Sequence, residues 1–338
     1  MTIHLKSIRS VILAAISLAY ASSAIAQVDE GKGQRIPNHI HVSSQLKAAI
    51  ATGDFVAKIA PRQGYIGQLM IGRLPDVQLK KGGFVPGDSY YPEDLGWYGG
   101  PVVTSASHIN VYWGKPDGSV WGYPASYEYY LNLSVMSETL NRYTGNSLYS
   151  TGHYPVANWY WNNGNPGSLV YQSQIASLVQ YMAGQDYTYR GARLGYTDIY
   201  HVFLPPGTDT CFDDPRNGCY NPDGRAPGPF TFCGYHYSTK LSNGTVVLYS
   251  VEPFESVYGC STGTNTSNDT ANVLGHEIAE TVTDPIPGTA WKAQWHPDYG
   301  QEVGDVCSGQ FFYHYLAGAN YYTQDWYGNN YHQCVDGP

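Results

Sequence analysis

A helix with chemistry along one side places the tightest constraint on what this chain can become. Ser267-Asn-Asp-Thr270 supplies residues that cap exposed amides, Ala271 to Val282 follows, and Thr283-Asp-Pro285 ends the run. Proline cannot continue the helical ladder, so both ends are marked. At about 100° per residue, Ala271, Leu274, Ile278 and Val282 share a stripe, and His276, Glu277 and Glu280 occupy the opposite arc. One face is suited to a core; the other carries an imidazole and two carboxylates. Residues four apart stand one above the other, so His276 and Glu280 can hold one cation between them. Glu277 projects beside them, where it can take a proton from a water on that cation.

The pattern resembles the zinc metallopeptidase helix, HExxH, with glutamate replacing the second histidine. Downstream, Gln301-Glu302-Val-Gly-Asp305 resembles the later ligand segment of the glutamate-type zincins. The resemblance implies Glu302 as third ligand and Asp305 as the group that orients the ligand histidine. It also implies one divalent metal, zinc first. A His-Glu-Glu donor set is more anionic than His-His-Glu and keeps manganese, iron and calcium open. The competing expectation is an amphipathic helix whose polar face meets water.

Residues 1–26 read as a secretory signal: Lys6 and Arg9 precede the apolar run Val11 to Ala21, and Ala24-Ile25-Ala26 fits a small-residue cleavage pattern. The expected product is an exported, soluble protein, secreted or periplasmic. The formal charge is −9, and the leader contributes two cations, Lys6 and Arg9, and no acid. An acidic chain without a basic patch is a poor partner for nucleic acid or anionic membranes. In an exported chain, the six cysteines Cys211, Cys219, Cys233, Cys260, Cys307 and Cys334 suggest three disulfides among fifteen connectivities. Pairing sequence neighbours is the simplest choice.

Residues 27–95 form a polar segment punctuated by glycine and proline (a linker, arm or pro-segment), with a short helical look from Ser44 to Thr52. One main domain is expected over 96–338. Val102-Val103, His108 to Trp113, Tyr154 to Trp161, Asp198 to Leu204, Phe230 to Ser238 and Val246 to Glu252 read as strands, the last two as a hairpin through Asn243-Gly244. Ser126 to Tyr143 and Ser168 to Met182 read as helices. Asp209, Asp213, Asp214 and Asp223 lie in a loop where turn formation explains them better than calcium. The order predicts an α+β fold, zincin-like by analogy: a twisted mixed sheet packed with helices, its C-terminal half stabilised by disulfides.

Gly99-Gly-Pro-Val-Val-Thr104, Ile109-Asn-Val-Tyr112, Cys233-Gly-Tyr-His236, the Thr283-Asp-Pro285 stop, Trp291 and Glu302-Val-Gly-Asp305-Val-Cys307 together resemble the phosphate-induced protein 1 (EXORDIUM) family. The resemblance spans about residues 96–338 and implies an exported protein, in plants associated with the cell wall and growth. Plant members look like Ser-Glu-Leu-Ala-Gly where this chain has His276-Glu-Ile-Ala-Glu280. The chain resembles the bacterial branch, which keeps both proposed ligands.

His236 sits on an expected strand and has two readings, a substrate contact or a buried, hydrogen-bonded histidine beside a disulfide. His108, His153, His201, His296, His314 and His332 show no partner spacing. No GxSxG elbow and no phosphate-binding glycine loop occur. The leading expectation is therefore an exported metal-dependent hydrolase, a metallopeptidase, with Glu277 catalytic and a peptide or cell-wall-type substrate. The alternative is a non-catalytic protein that binds wall polysaccharide through its 32 tyrosines and 8 tryptophans, or one whose metal is purely structural.

Overall fold

The computed structural model describes residues 94–104, 106–115, 118–144, 156–161, 165–190, 197–222, 224–256, 260–293 and 302–337. The signal at 1–26, nearly all of the polar segment 27–95, and the residues His153, Asp223 and His296 lie outside them.

Runs rich in β-branched and aromatic residues build a central sheet. Its strands are β1 (Ala106–Trp113), β2 (Val156–Trp161), β3 (Thr197–Phe203), β4 (Tyr235–Lys240) and β5 (Val246–Glu252), in the order β2-β1-β3-β5-β4. The first four in that order run parallel, and β4 closes one edge antiparallel to β5. The hairpin joining β4 to β5 turns through Asn243-Gly244. Gly244 there takes φ 86°, a left-handed conformation that glycine adopts without a side-chain clash.

Three longer helices, α1 (Pro124–Asn132), α2 (Gln172–Arg190) and α3 (Thr266–Thr283), cover the sheet. Ile175, Leu178 and Val179 of α2 pack on one face against Ile109, Val111, Val202 and Tyr249. Leu131 of α1 and Ala271, Leu274, Ile278 and Val282 of α3 pack on the other, against Ala106, Tyr112, Ile199 and Phe203. A hairpin of β6 (Phe311–Leu316) and β7 (Ala319–Gln324) lies along α3. There the backbone N–H groups of Tyr322 and Gln324 donate to the side-chain oxygens of Asn268 and Asn272.

Several expectations need correction. α3 is capped by Asn265, whose side chain accepts from Asn268 N at 3.0 Å, rather than by Ser267. It has no watery face: every residue from Asn268 to Thr283 is buried. The helix expected from Ser126 to Tyr143 breaks after Asn132, where the Ser134 hydroxyl donates to Leu131 O and the chain tightens into a 3₁₀ turn. Val102-Val103 is not a strand, and of the expected strand start only Phe230 makes a bridge, to Cys219, while 231–234 are irregular before β4 begins at Tyr235. The six cysteines pair as sequence neighbours: Cys211–Cys219, Cys233–Cys260 and Cys307–Cys334.

Register places a polar row across this sheet. Asn110 pairs with His201, His201 with Ser250, and Ser250 with His236, so one line crosses β1, β3, β5 and β4. Strand alternation turns these four side chains to the α1/α3 face. All four are fully buried.

Candidate metal centre

Three pieces of chain converge at the β4 end of that row. α3 contributes His276, Glu277 and Glu280, the turn after residue 301 contributes Glu302 and Asp305, and the edge strand β4 contributes His236. Each of the six is at most 3% exposed.

His276 Nε2 lies 2.9 Å from Glu280 Oε1 and 3.5 Å from Asp305 Oδ1. One donor atom from each of these three falls within 4.8 Å of the others. Glu280 also faces the opposite way, with Oε2 3.5 Å from His236 Nδ1. Glu277 Oε2 is 3.5 Å from the same nitrogen, so His236, Glu277 and Glu280 form a second overlapping group. Glu302 Oε1 lies 3.7 Å from His236 Nε2. The i, i+4 pairing of His276 and Glu280 is thus present, and Asp305 faces the nitrogen that Glu280 faces. Glu302 stands on the His236 side.

Comparison with family models, with curated proteins and with solved structures gave no match. What the centre can do rests on its own atoms.

The electrostatics show what it lacks. Burial disfavours an imidazolium at His276, but Glu280, Asp305 and Glu277 outweigh it and hold the ring's pKa well above its ordinary value. His236 behaves alike, with Glu302, Glu277 and Glu280 overcoming burial. Burial and the field of Glu280 push Asp305 up to about 8. Burial also raises Glu302 well above the carboxylate range, with His236 the main opposing influence. Glu280 moves the other way: the two histidines outweigh burial and lower it. By itself, then, the cluster must gather protons to balance its charge. Both oxygens of Glu302, Asp305 Oδ1 and Glu277 Oε2 are buried with no hydrogen-bond donor. A divalent cation would satisfy such atoms and replace those protons, so the donor set fits a metal.

Sequence reasoning missed one contributor. Gln324 of β7 has Oε1 3.2 Å from His276 Nδ1, while its Nε2 donates to Gly304 O at 2.7 Å. Since that amide oxygen can only accept, His276 Nδ1 is the donor, and Nε2 is left as the nitrogen that faces Glu280 and Asp305, where a cation would take the place of its proton. Gln324 therefore does the orienting that the zincin resemblance assigns to Asp305. Only the pairing of β7 with α3 brings it there, and no local spacing signals it.

Proposed function

We propose that this chain is an exported metal-dependent hydrolase, zincin-like in arrangement, acting on peptide or cell-wall-type bonds. The observation that carries the reading is the convergence of His276 Nε2, Glu280 Oε1 and Asp305 Oδ1, with Glu277 one residue along the same helix. A mixed sheet with an antiparallel edge strand beside that helix supports it, as do three disulfides, which fit an oxidising compartment. Among the described residues no helix is long and apolar enough to cross a membrane. On the same terms we place the chain beside the bacterial branch of the phosphate-induced protein 1 family.

His276, Glu280 and Asp305, with Glu302 adjacent, would hold the cation. Bound there, a divalent metal supplies Lewis acidity and makes water acidic enough to attack near neutral pH. Glu277 takes the proton of the attacking water and delivers it to the leaving group. His236 donates from Nε2 to the Asp284 carbonyl oxygen at 3.1 Å and turns Nδ1 to Glu277 and Glu280, so it would position the general base rather than touch substrate. Gln324 keeps His276 in its coordinating tautomer.

The test is metal content and turnover in the mature protein beside two variants. His276→Ala should lose the metal of this centre. Glu277→Gln should keep the metal and lose hydrolysis of a peptide library by about 10²–10⁴-fold, the usual contribution of a general base. Full turnover in Glu277→Gln would end the proposal.

A second reading draws on burial. With ligands only 1–2% exposed, the ion could brace the fold without reaching substrate. Tyr313 and Tyr315, 70% and 71% exposed on β6, would then give a wall-associated protein its sugar-contacting surface. Metal-dependent melting with no hydrolysis, and glycan retention indifferent to chelator, would favour it.

A further inference from the structure

The α1/α3 face of the sheet holds another group of metal-type donors, gathered around His201 of that row. His108 and His201 sit on the neighbouring parallel strands β1 and β3, with Nδ1 of His108 3.0 Å from Nε2 of His201. From α1, Glu128 brings Oε1 to 3.9 Å from that same Nε2. The three side chains are fully buried, and one donor atom from each lies within 4.8 Å of the other two. On β1 and β3 that face also carries the apolar Ala106, Tyr112, Ile199 and Phe203. Polar groups in such surroundings destabilise the fold unless something satisfies them.

Hydrogen bonding fixes how His201 is protonated. Ser250 gives its single hydroxyl proton to Glu252 Oε1 at 2.6 Å. Its oxygen therefore accepts from His201 Nδ1, 2.7 Å away, and Nε2 is the nitrogen that carries the lone pair, 3.0 Å from His108 Nδ1. An imidazole held through one nitrogen by an oxygen partner, with the other aimed at a carboxylate, is arranged as metal-ligating histidines are. Glu128 is incomplete in the complementary sense. Asn110 Nδ2 donates to Oε2 at 2.9 Å, whereas Oε1 is buried with no hydrogen-bond donor.

We propose that His108, His201 and Glu128 form a second divalent-cation site, of the transition-metal class with zinc foremost, distinct from the His276 centre. Ligand atoms around a tetrahedral zinc, each about 2.0–2.1 Å from the ion, stand about 3.3 Å from one another. The observed 3.0 Å and 3.9 Å bracket that spacing. Two imidazoles and one carboxylate suit zinc, whereas calcium and magnesium call for oxygen donors. Water completes the fourth position. Because the donors come from β1, β3 and α1, the ion cross-braces two strands to the helix above them. A metal-free His108–His201 hydrogen bond beside a protonated Glu128 is the rival arrangement.

Zinc itself is the probe, applied to the full mature chain. Zinc content after saturation and removal of excess is compared for the wild type, Glu128→Gln and His276→Ala. The expected result is one equivalent fewer in Glu128→Gln than in the wild type, with His276→Ala retaining the equivalent that Glu128→Gln lacks. If the His276 centre binds nothing, the wild type holds a single zinc that only Glu128→Gln removes, and the second site stands. Equal zinc in Glu128→Gln and wild type overturns it. Should Glu128→Gln fail to fold, anomalous scattering at the zinc edge from wild-type crystals grown with zinc decides. A peak between His108, His201 and Glu128 supports the site, and its absence there overturns it.

Discussion

Gln324 and His276 are joined by a contact that fixes which ring nitrogen faces the carboxylates: Oε1 lies 3.2 Å from Nδ1, and the amide nitrogen is already committed to Gly304 O. Gln324→Ala removes the partner that turns Nε2 toward Glu280 and Asp305. Partners of this kind are worth about 10–100-fold in metal affinity. Competition titration with a chromophoric chelator should show a loss of that size at the His276 centre. Unchanged affinity would mean that Gln324 serves packing alone.

Gly304 offers a steric probe of the same ring. Its φ of −77° suits any residue, so alanine brings no backbone strain. A Cβ there would sit 2.8 Å from His276 Nδ1, closer than real Cβ atoms approach, and 3.0 Å from Cγ. Gly304→Ala should push the imidazole aside, destabilise the fold by about 1–3 kcal/mol as overpacking does, and weaken metal binding at least tenfold. Urea melts and the same chelator titration read both. Native affinity in this variant would place the binding ring elsewhere.

Asp325 should set part of the pH dependence of stability. It lies 3.3 Å from His314 Nε2, and burial pushes its carboxyl up to about 6 against the pull of that ring. The unfolded aspartate titrates near about 3.9. Between about pH 4 and 6 the folded state therefore binds more protons than the unfolded, and this group makes stability fall as pH rises. Asp325→Asn should raise Tm at pH 7 relative to pH 4 and flatten the slope between them. Calorimetry across that range checks it; a slope identical to wild type would show that Asp325 does not titrate there.

The disulfides should differ in what they protect. Cys307 closes the turn that begins at Asp305 and joins Cys334 across 27 residues, whereas Cys211–Cys219 spans 8. Loop-closure entropy assigns about 3–4 kcal/mol to the first and about 2–3 kcal/mol to the second. Replacing Cys307 and Cys334 with serine should also lower zinc affinity at the His276 centre. Replacing Cys211 and Cys219 should not. Equal losses of affinity would deny the turn its special position.

How much of this was readable in the sequence follows from distance along the chain. α3 was legible because its stop, its inward stripe and the His276–Glu280 spacing are all local. β5 was legible as a β-branched and aromatic run, and its turn to β4 as Asn243-Gly244. The burial of α3 on every side was not, since periodicity shows which residues share a face and says nothing of what covers the opposite one. His236 reaches the centre only because β4 pairs antiparallel with β5. His108 and His201, which show no partner spacing in the sequence, meet because parallel pairing sets β1 beside β3 across 93 positions of sequence. Gln324 is the extreme case: it touches His276 through a hairpin, and glutamine carries no signature of its own.

The polar row has a consequence for assembly as well as for chemistry. Parallel strands with apolar side chains on both faces can slide past one another with little to choose between alignments. Here a slip of one residue would turn Asn110, His201 or Ser250 into the layer of Ile109, Val111, Val202 and Val251, where only hydrocarbon and aromatic rings await them. Correct alignment is the arrangement that lets these groups find one another. The row thus serves the sheet as a registration mark, proofreading the alignment of four strands before either metal-type cluster can exist.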